Sequence, residues 1–339
     1  MHSDNIKVSV ILPAYNAEQF LADLLDSVVG QTMNNFEVIA INDGSSDGTQ
    51  EILDRYEKNY PSIFRIFQQE NMGQSATRNH ALQYVKGTYV AFIDADDILE
   101  KDYLETLYNA CYSNDADIAI GGYEKFYSDT NEVFYYRRPS DWDVTFRKGL
   151  HHVFIYSPWG KLYKTAFLID HNFRFSEGEH LEDGPYAVMT HIVADKVVTV
   201  DRLGYKYRMY SSSVMGNVRK KQSAPKLPYR GVIDTIQQVR KYKPDKETDQ
   251  MLEYCIIKLL AGLTTNMCKN VDADTRKEIC NYCYETLSCY FPEAKKNPYV
   301  KLFSLKKLPV IHRLAVSMFM KAYRLHLLYP FSSVASKFL

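Results

Sequence analysis

The amino-acid sequence predicts an α/β fold, in which a mostly parallel sheet is flanked by helices and followed by a helical C-terminal region. Three observations predict it. The first hundred residues alternate four short apolar runs with amphipathic segments. Clusters of polar residues directly follow the first, second and fourth apolar run. From about residue 222 the pattern becomes helical and lacks turn-rich stretches. Strands separated by helices form right-handed crossovers, which favour parallel pairing.

Each apolar run has the length and composition of a buried strand. The predicted strands are KVSVIL, FEVIAI, IFRIF and YVAFI, at residues 7–12, 36–41, 63–67 and 89–93. The segments between them repeat apolar residues at helical spacing, and the predicted helices lie at 17–31, 50–60 and 73–85. Ligands of such sheets bind beyond the carboxyl ends of the strands. The polar clusters PAYN, NDGS and DADD therefore mark the candidate site, at residues 13–16, 42–45 and 94–97.

Composition sets only broad limits on function. The chain has 339 residues, with 41 acidic and 41 basic side chains, so its net charge indicates no partner, and we expect no nucleic-acid ligand. The N-terminal residues lack the apolar core of a signal peptide, and no apolar run approaches the roughly 18–20 residues that span a bilayer. We therefore expect a cytoplasmic protein with reduced thiols. Cys280 and Cys283 form a CxxC pair without a second pair at zinc spacing, so helix packing is the simpler interpretation.

The DADD cluster places three carboxylates within four positions. Carboxylates this close raise each other's pKa unless a cation lies among them. Oxygen ligands suit Mg²⁺ or Mn²⁺, which proteins bind through one or two carboxylates together with substrate phosphates. The alternative is a solvated acidic turn before the helix that is expected to start near Glu100. The chain has no GxGxxG after its first strand, no GxxxxGK[ST] and no HExxH, so a phosphate ligand needs another means of binding.

Four stretches, taken in order, resemble family-2 glycosyltransferases of the GT-A fold. They are VSVILPAYNAEQFL, VIAINDGSSDGT, NMGQSATRNHAL and YVAFIDADD, and the resemblance covers about residues 6–210. It implies an enzyme that takes a sugar from a nucleotide diphosphate sugar, with inversion at the anomeric carbon. It also implies a GT-A (Rossmann-like) catalytic domain at 1–215 and a helical C-terminal region at 216–339.

The resemblance assigns nucleotide-sugar binding to one arginine and to residues of the three polar clusters. These residues are Pro13, Ala14, Tyr15, Asn16, Asp43, Arg78, Asp94, Ala95 and Asp96. Asp43 matches a carboxylate that accepts a hydrogen bond from uracil N3–H, which favours a UDP-sugar donor. Asp94 and Asp96 match the DxD motif, with Asp94 toward ribose or metal and Asp96 as a ligand of Mn²⁺ or Mg²⁺. Each residue also has a structural explanation, such as an Asx turn for Asp43 or pairing of Arg78 with a nearby carboxylate on its own helix.

An inverting transfer needs a base that takes the proton of the acceptor hydroxyl, from a distance of about 3 Å. The family supplies an Asp of an ED-like pair just before a helix, and EGEHLEDGPYAVM fits that pattern. Asp183 is the predicted base, with Glu182 as the second candidate. The same position predicts a helix N-terminus, where the helix dipole stabilises a carboxylate. The two interpretations are compatible.

Two further segments resemble parts of this family. PWGKLYK, at 158–164, is similar to a segment of bacterial members that build capsule or exopolysaccharide, and we expect Trp159 to form a wall of the acceptor pocket. Lys161 is expected near donor phosphate or acceptor, and the alternative for Trp159 is a position in the core. YKYRMYSSS, at 205–213, resembles a segment that closes over the diphosphate, with Arg208 and Ser213 as candidates. The QxxRW segment of processive synthases is absent, which favours transfer of one or a few sugars.

The C-terminal tail is basic and amphipathic. No acidic residue follows Glu293, and residues 309–329 repeat apolar side chains at helical spacing. These side chains are Ile311, Leu314, Met318, Ala322, Leu325 and Tyr329. Such a helix favours a peripheral position on the inner face of the cytoplasmic membrane, with docking on the catalytic domain as the alternative. The resemblance implies a saccharide acceptor, often linked to a lipid such as polyprenyl diphosphate, and a homodimer through the helical region stays open.

Two alternative functions belong to other classes. A non-catalytic module would bind sugar nucleotides or hold an assembly complex together, but the intact acidic set, Asp43, Asp94, Asp96 and Asp183, argues against it. A nucleotidyltransferase shares the α/β layout and the metal-binding carboxylates. Such enzymes begin with a Gly-rich, basic loop, and LPAYNAEQF is neither Gly-rich nor basic.

Overall fold

The computed structural model describes residues 6–146, 149, 151–210, 226–269 and 271–338. Contacts within the chain divide it into two compact units. The first unit comprises Met1–Ser140, Ile155–Gly178 and Ala194–Tyr210, and the second comprises Asp141–Phe154, Glu179–Val193 and Ser211–Leu339. The expected domain boundary between residues 215 and 216 and the candidate Ser213 lie outside the described residues.

Strands and helices alternate through the first part of the chain as predicted, with boundaries that shift by about one helical turn or less. The strands, in chain order, are β1 (Val8–Ala14), β2 (Phe36–Asp43), β3 (Phe64–Gln69), β4 (Tyr89–Phe92), β5 (Ile98–Leu99), β6 (Ile118–Tyr127), β7 (Val133–Arg137), β8 (Asp143–Thr145), β9 (His151–Val153), β10 (Lys161–Lys164) and β11 (Val197–Met209). The helices are α1 (Leu21–Val29), α2 (Thr49–Asn59), α3 (Gln74–Ala81), α4 (Tyr103–Asn114), α5 (Thr165–Asp170), α6 (Asp183–Val193), α7 (Tyr229–Tyr242), α8 (Lys246–Gly262), α9 (Ala273–Tyr290), α10 (Val310–Arg324) and α11 (Leu328–Phe338).

The large sheet of the first unit runs in the order β3-β2-β1-β4-β10-β6-β11-β5, and β7 extends it by pairing with β6. The neighbours β3, β2, β1 and β4 are parallel, as are β6 and β11, whereas β10 is antiparallel to both β4 and β6. Every residue of β1 and β2 is buried, as expected for parallel strands that are covered on both faces. The predicted fold class is confirmed.

The strand register brings the three polar clusters to one edge of the sheet. Ala14 of β1 is aligned with Asn42 of β2, and Ile11 of β1 is aligned with Phe92 of β4. The carboxyl ends of β1, β2 and β4 therefore lie side by side, and each is followed by its polar cluster. This is the edge at which parallel α/β sheets bind their ligands.

The second unit contains the β8–β9 hairpin, α6 and the helices from α7 to α11. Its core includes the side chains of Leu252, Ile256 and Leu260 on α8, all fully buried. Cys280 and Cys283 of α9 are also buried free thiols, so both pack in this core. None of the helices in the described part of the chain is long and apolar enough to cross a membrane.

The tail forms two helices rather than the single helix that was predicted over 309–329. Helix α10 ends at Arg324, and α11 begins at Leu328. The break falls at His326, whose φ of 56° lies in the left-handed region and cannot continue a right-handed helix. Periodicity of apolar residues continues through the break, which is why the sequence pattern did not reveal it.

Candidate active site

The DADD loop leaves β4 and is held in place by the distant strand β11. The Asp94 N–H donates to Tyr205 Oη at 3.1 Å, and the same hydroxyl donates to Asp97 Oδ2 at 2.6 Å. The Arg208 N–H donates to Asp97 Oδ1 at 2.9 Å. Both oxygens of Asp97 are therefore engaged by β11, and the side chain is fully buried. Burial, and then the neighbouring charges of Asp96 and Asp94, raise the pKa of Asp97 well above its usual value. Asp97 anchors the loop.

Asp94 is paired with a buried arginine. Its Oδ1 accepts hydrogen bonds from Arg78 Nη2 at 2.8 Å and from Gln74 Nε2 at 2.9 Å, both on α3. Arg78 is completely buried, and its guanidinium lies 5.0 Å from the centre of the Phe175 ring. Arg78 thus contacts the first carboxylate of the DxD motif, and its predicted place beside the nucleotide stays a prediction.

Asp96 is the second carboxylate of the DxD motif, and Ala95 separates it from Asp94. Asp96 Oδ2 accepts a hydrogen bond from Tyr210 Oη at 3.0 Å. Burial, followed by the charge of Asp94, raises the pKa of Asp96 to about 6. The nearby Arg208 donates from Nε to the Asp96 carbonyl oxygen at 2.8 Å and from Nη2 to Asp23 at 2.9 Å. The ionised form of Asp96 is therefore only partly compensated by the residues around it.

The carboxylates of the loop fit a divalent cation. No described residue donates a hydrogen bond to Asp94 Oδ2 or to Asp96 Oδ1, so each side chain offers one oxygen. Among the residues that the structure describes, no group of three or more His, Cys, Asp and Glu side chains is arranged to hold a metal by itself. Mg²⁺ and Mn²⁺ do not need such a group when substrate phosphates complete their coordination. Asp94 Oδ2 and Asp96 Oδ1 are two such carboxylate oxygens, and they can supply the protein's part of the coordination.

Asp43 lies at the end of β2 and binds the loop before α3. Its Oδ1 accepts from the Met72 N–H at 2.9 Å and from Gln69 Nε2 at 2.7 Å, and its Oδ2 accepts from the Gly73 N–H at 2.9 Å. The side chain is 2% exposed. The arrangement supports the backbone at the start of α3, and recognition of uracil by Asp43 stays a prediction.

The PAYN cluster is divided by burial. Pro13 and Ala14 are buried at the end of β1, whereas Tyr15 is 54% exposed. Asn16 adopts a left-handed φ of 46°, and its Oδ1 accepts from the Ser46 N–H at 2.9 Å. This bond ties the loop after β1 to the loop after β2. Within the cluster, Tyr15 is the side chain most available to a ligand.

The aromatic segment before β10 is part of the core. Trp159 is 7% exposed and stacks on Tyr205 at 4.5 Å with an interplanar angle of 7°, while Tyr123 meets it edge-on at 5.0 Å. Lys161 is fully buried and donates from Nζ to the carbonyl oxygens of Ile155 and Ser157. Trp159 supports Tyr205, which holds the DADD loop. This placement favours the alternative interpretation of Trp159, since a buried indole leaves little surface for an acceptor.

In the second unit, α6 begins at Asp183, as the sequence predicted, and Glu182 immediately precedes it. Both side chains are partly exposed. A carboxylate in the first turn is stabilised in its ionised form by the helix dipole. Glu179, three residues earlier than Glu182, accepts hydrogen bonds from the backbone N–H groups of Arg230 and Gly231 at the start of α7. The assignment of Asp183 as the base stays a prediction.

Sequence reasoning missed the two tyrosines that hold the acidic loop. Tyr205 and Tyr210 lie in the quoted segment YKYRMYSSS, from which only Arg208 and Ser213 were chosen. The chain has 27 tyrosines, so residue type alone could not distinguish these two. Tyr205 and Tyr207 alternate with Lys206 and Arg208 along β11. This alternation is the signal that could have put Tyr205 and Tyr207 on one face of the strand, where both stack on Trp159.

The sequence and the fold are similar to those of known proteins. The family model described as Glycosyl transferase family 2 matches residues 9–171. Glycosyltransferase GlyA of Streptococcus pneumoniae serotype 4 is 35% identical over 223 residues, which cover 61% of this chain but 31% of GlyA. Glycosyltransferase GlyG of the same organism is 30% identical over 227 residues, which cover 61% of this chain and 72% of GlyG.

A solved structure shares the fold. The crystal structure of S. aureus TarS 1–349 in complex with UDP-GlcNAc is similar, with a TM-score of 0.74 and 20% identity, over 98% of this chain and 91% of that chain. The α/β sheet with a carboxylate loop beyond its parallel strands is a fold of GT-A type, and the similarity in sequence defines the class as a glycosyltransferase. The chain belongs to glycosyltransferase family 2.

Proposed function

We propose that this chain transfers a sugar from a UDP-sugar to a hydroxyl group of a saccharide acceptor, with inversion, in the synthesis of a cell-surface polysaccharide. The observation that carries the proposal is the pair of oxygens, Asp94 Oδ2 and Asp96 Oδ1, at the ligand-binding edge of the sheet. Membership of glycosyltransferase family 2 supports it. We propose residues 1–215 as the catalytic region and residues 216–339 as the helical region.

The donor is proposed to bind through the DADD loop. Asp94 and Asp96 would hold Mn²⁺ or Mg²⁺, and the ion would neutralise charge that develops on the departing diphosphate. Arg78 fixes the direction of Asp94, and Tyr210 fixes that of Asp96. Two positioned carboxylates thus select a ligand that carries its own phosphate oxygens. The exposed ring of Tyr15 is proposed to pack on the nucleobase or ribose.

The acceptor hydroxyl is proposed to lose its proton to Asp183. The oxygen of the acceptor hydroxyl attacks the anomeric carbon from the side opposite the diphosphate, so a single displacement inverts that carbon. The carboxylate of Asp183 takes the proton as the new glycosidic bond forms. An ionised Asp183 suits this role, since its place in the first turn of α6 favours the charged form. We propose a lipid-linked saccharide, such as one on polyprenyl diphosphate, as acceptor, and a peripheral position at the cytoplasmic membrane.

The test measures UDP release from a panel of UDP-sugars, with Mn²⁺, with Mg²⁺ and with EDTA. We expect one donor to be hydrolysed slowly in the absence of acceptor, and EDTA to abolish the reaction. With a saccharide acceptor present, Asp183→Asn is expected to lower transfer by about 10²- to 10⁴-fold, because the base is lost. The affinity for UDP, measured by calorimetry, should be unchanged in this variant.

Asp129→Asn is the matched control, because Asp129 is an exposed carboxylate in the turn between β6 and β7. It should transfer sugar at the wild-type rate. If the protein releases no UDP from any donor and does not bind UDP, the UDP assignment is refuted. GDP- and dTDP-sugars would then be tested as donors. Release of pyrophosphate instead of UDP would show a nucleotidyltransferase. UDP binding without turnover of any donor, with saccharide acceptors present, would show a non-catalytic sugar-nucleotide module.

A further inference from the structure

Helix α10 carries apolar side chains on two opposite faces. One face packs in the second unit, through the buried side chains of Val316, Phe319, Met320 and Tyr323, which repeat at i, i+3, i+4 and i+7. A globular helix ordinarily buries one apolar stripe and exposes polar residues on the other side. Here the second side is apolar as well, which calls for a separate explanation.

The second side of α10, together with the residue that ends the helix, forms what we name the outer face: Ile311, Leu314, Met318 and Leu325. These residues share one stripe at i, i+3, i+7 and i+14. Ile311 is 51% exposed, Met318 41% and Leu325 67%, and Leu314 is half-buried. Leu327, in the turn after α10, is also exposed. Exposed apolar side chains gathered on one element mark a surface that binds something.

Basic side chains border the outer face. Lys321 and Arg324 are exposed on α10, and Lys306 and Lys307 are exposed just before it. Lys306, Lys307 and Lys321 form no ion pair with any described residue. All 41 acidic residues of the chain precede Ala294, so no carboxylate in the tail's own sequence offsets this charge. The segment from Lys306 to Leu325 therefore carries exposed apolar side chains and basic side chains without acidic ones.

We propose that the outer face of α10 and its bordering lysines bind the surface of an anionic lipid bilayer. Apolar side chains enter the boundary between headgroups and acyl chains, and lysines contact the anionic headgroups. A second copy of the chain is disfavoured, because a two-fold interface uses the same surface of both copies and would gather the positive charge of both in one contact region. The basic border instead suits a negatively charged partner, and the apolar stripe suits a partner with a hydrocarbon interior.

The use of this surface rests on the proposed function, in which the acceptor is attached to a membrane lipid. Lipid binding itself requires neither donor nor catalysis, so it is measured separately. The experiment is flotation of the full chain with vesicles of phosphatidylcholine alone and with vesicles that contain equal shares of phosphatidylcholine and phosphatidylglycerol. UDP release in the absence of lipid is measured on the same samples.

Two double variants probe the surface, and each has a matched control. Ile311→Ser with Leu325→Ser is paired with Ile169→Ser with Tyr112→Ser, because Ile169 is 49% and Tyr112 67% exposed. Lys306→Gln with Lys307→Gln is paired with Lys58→Gln with Lys101→Gln, which are exposed lysines of the first unit. All eight side chains are exposed, so each variant should fold, and thermal melting checks this.

We expect binding to the anionic vesicles and not to phosphatidylcholine. The lysine variant should weaken binding roughly 25-fold, at about fivefold for each charge, and the apolar variant roughly tenfold. Both controls should bind as wild type, and high salt should weaken binding of the wild type. UDP release in solution should be unchanged in every variant.

Absence of binding to anionic vesicles would overturn the inference, as would equal losses in the test and control variants. A dimer in solution that the apolar variant dissociates, without vesicle binding, would show that the face joins two copies and would also overturn it. Vesicle binding without UDP release from any donor would refute the proposed function and leave the lipid surface standing.

Discussion

The two ends of the same parallel strands hold carboxylates in opposite ways. At the amino ends, Glu37 is buried on β2 and is fully engaged. Its Oε1 accepts from Ser9 Oγ at 2.6 Å and from the Lys86 N–H at 2.9 Å, and its Oε2 accepts from Arg65 Nη1 at 2.9 Å. A buried carboxylate with a donor for each oxygen holds strands together.

At the carboxyl ends, three carboxylates crowd into one loop, and two of them, Asp94 and Asp96, are incompletely engaged. The pKa of Asp96 is raised to about 6 and that of Asp97 is raised well above its usual value, in each case mainly because of burial. Asp94 and Asp96 each keep one oxygen to which no described residue donates. The difference teaches that number of carboxylates does not identify a functional site. A functional site is identified by carboxylate oxygens to which no surrounding group donates a hydrogen bond.

Asp96→Ala, at the carboxyl ends of the strands, should have the largest effect, and that effect should be on activity and not on stability. We expect UDP release to fall about 10³-fold, because a metal ligand is lost and several kcal/mol of stabilisation of the leaving group go with it. The free energy of unfolding without metal should stay the same or rise, since a desolvated charge is removed. Steady-state kinetics and urea unfolding measure both quantities. Wild-type activity in Asp96→Ala would break the comparison, and Asp129→Ala serves as the control.

Glu37→Gln should do the reverse. The amide nitrogen would face a donor, either Arg65 or the Ser9 and Lys86 groups, so the network loses a charge and a hydrogen bond. We expect the free energy of unfolding to fall by about 2 kcal/mol, since Arg65 is partly exposed and solvent weakens the pair. Activity per folded molecule should be unchanged. Glu51→Gln, at an exposed position of α2, should change neither quantity, and a selective loss of activity in Glu37→Gln would contradict the structural role.

Arg78→Lys tests whether Arg78 positions Asp94. Lysine keeps the charge but lacks the guanidinium Nη2 that reaches Asp94 from a buried position. We expect kcat/KM for donor hydrolysis to fall about 10- to 100-fold, with a matching rise in the Mn²⁺ concentration that gives half-maximal activity. A loss of stability alone, with an unchanged Mn²⁺ requirement in the folded enzyme, would show that Arg78 is only structural. Exposed Arg55→Lys on α2 is the control.

The smallest expected effect is on stability against pH without metal. The pKa of Asp96 is about 6 in the folded chain and about 4 in an unfolded one. Between these values the folded state holds a proton that the unfolded state lacks. The stabilising contribution is complete below pH of about 4 and is lost as the pH rises through about 6. Relative to Asp96→Asn, the wild type should lose about 1–2 kcal/mol over this range, after allowance for solvent screening.

Urea unfolding of both proteins in EDTA measures this difference. Saturating Mn²⁺ should raise the stability of the wild type at neutral pH and leave Asp96→Asn unchanged. Parallel pH profiles for the two proteins in EDTA would show that Asp96 ionises as freely as a surface carboxylate, and the contrast between the two ends of the strands would then fail.

Prediction succeeded where local pattern was sufficient. The strands β1, β2 and β4 were found because strands covered on both faces are continuous apolar runs, and the partly exposed edge strand β3 was found from its short apolar run. The start of α6 at Asp183 was found from an acidic pair before an apolar segment. For Trp159 the pattern left open a wall of the acceptor pocket and a place in the core. The structure buries its side chain, because β10 inserts between β4 and β6 and carries the preceding segment inward. The break at His326 escaped detection because apolar spacing is blind to a single left-handed residue.

The sequence by itself determined the alternation of strands and helices, the edge at which polar loops gather, and the identity of the acidic loop. Tertiary structure alone decided which partner each carboxylate received. Asp97 is bound by Tyr205 and Arg208, which lie 108 and 111 residues away along the chain, and Asp94 is bound by Arg78. A hydrogen bond requires donor and acceptor within about 3 Å. That proximity depends on β11 pairing with β6 and β5, and such long-range pairing leaves no trace in local periodicity.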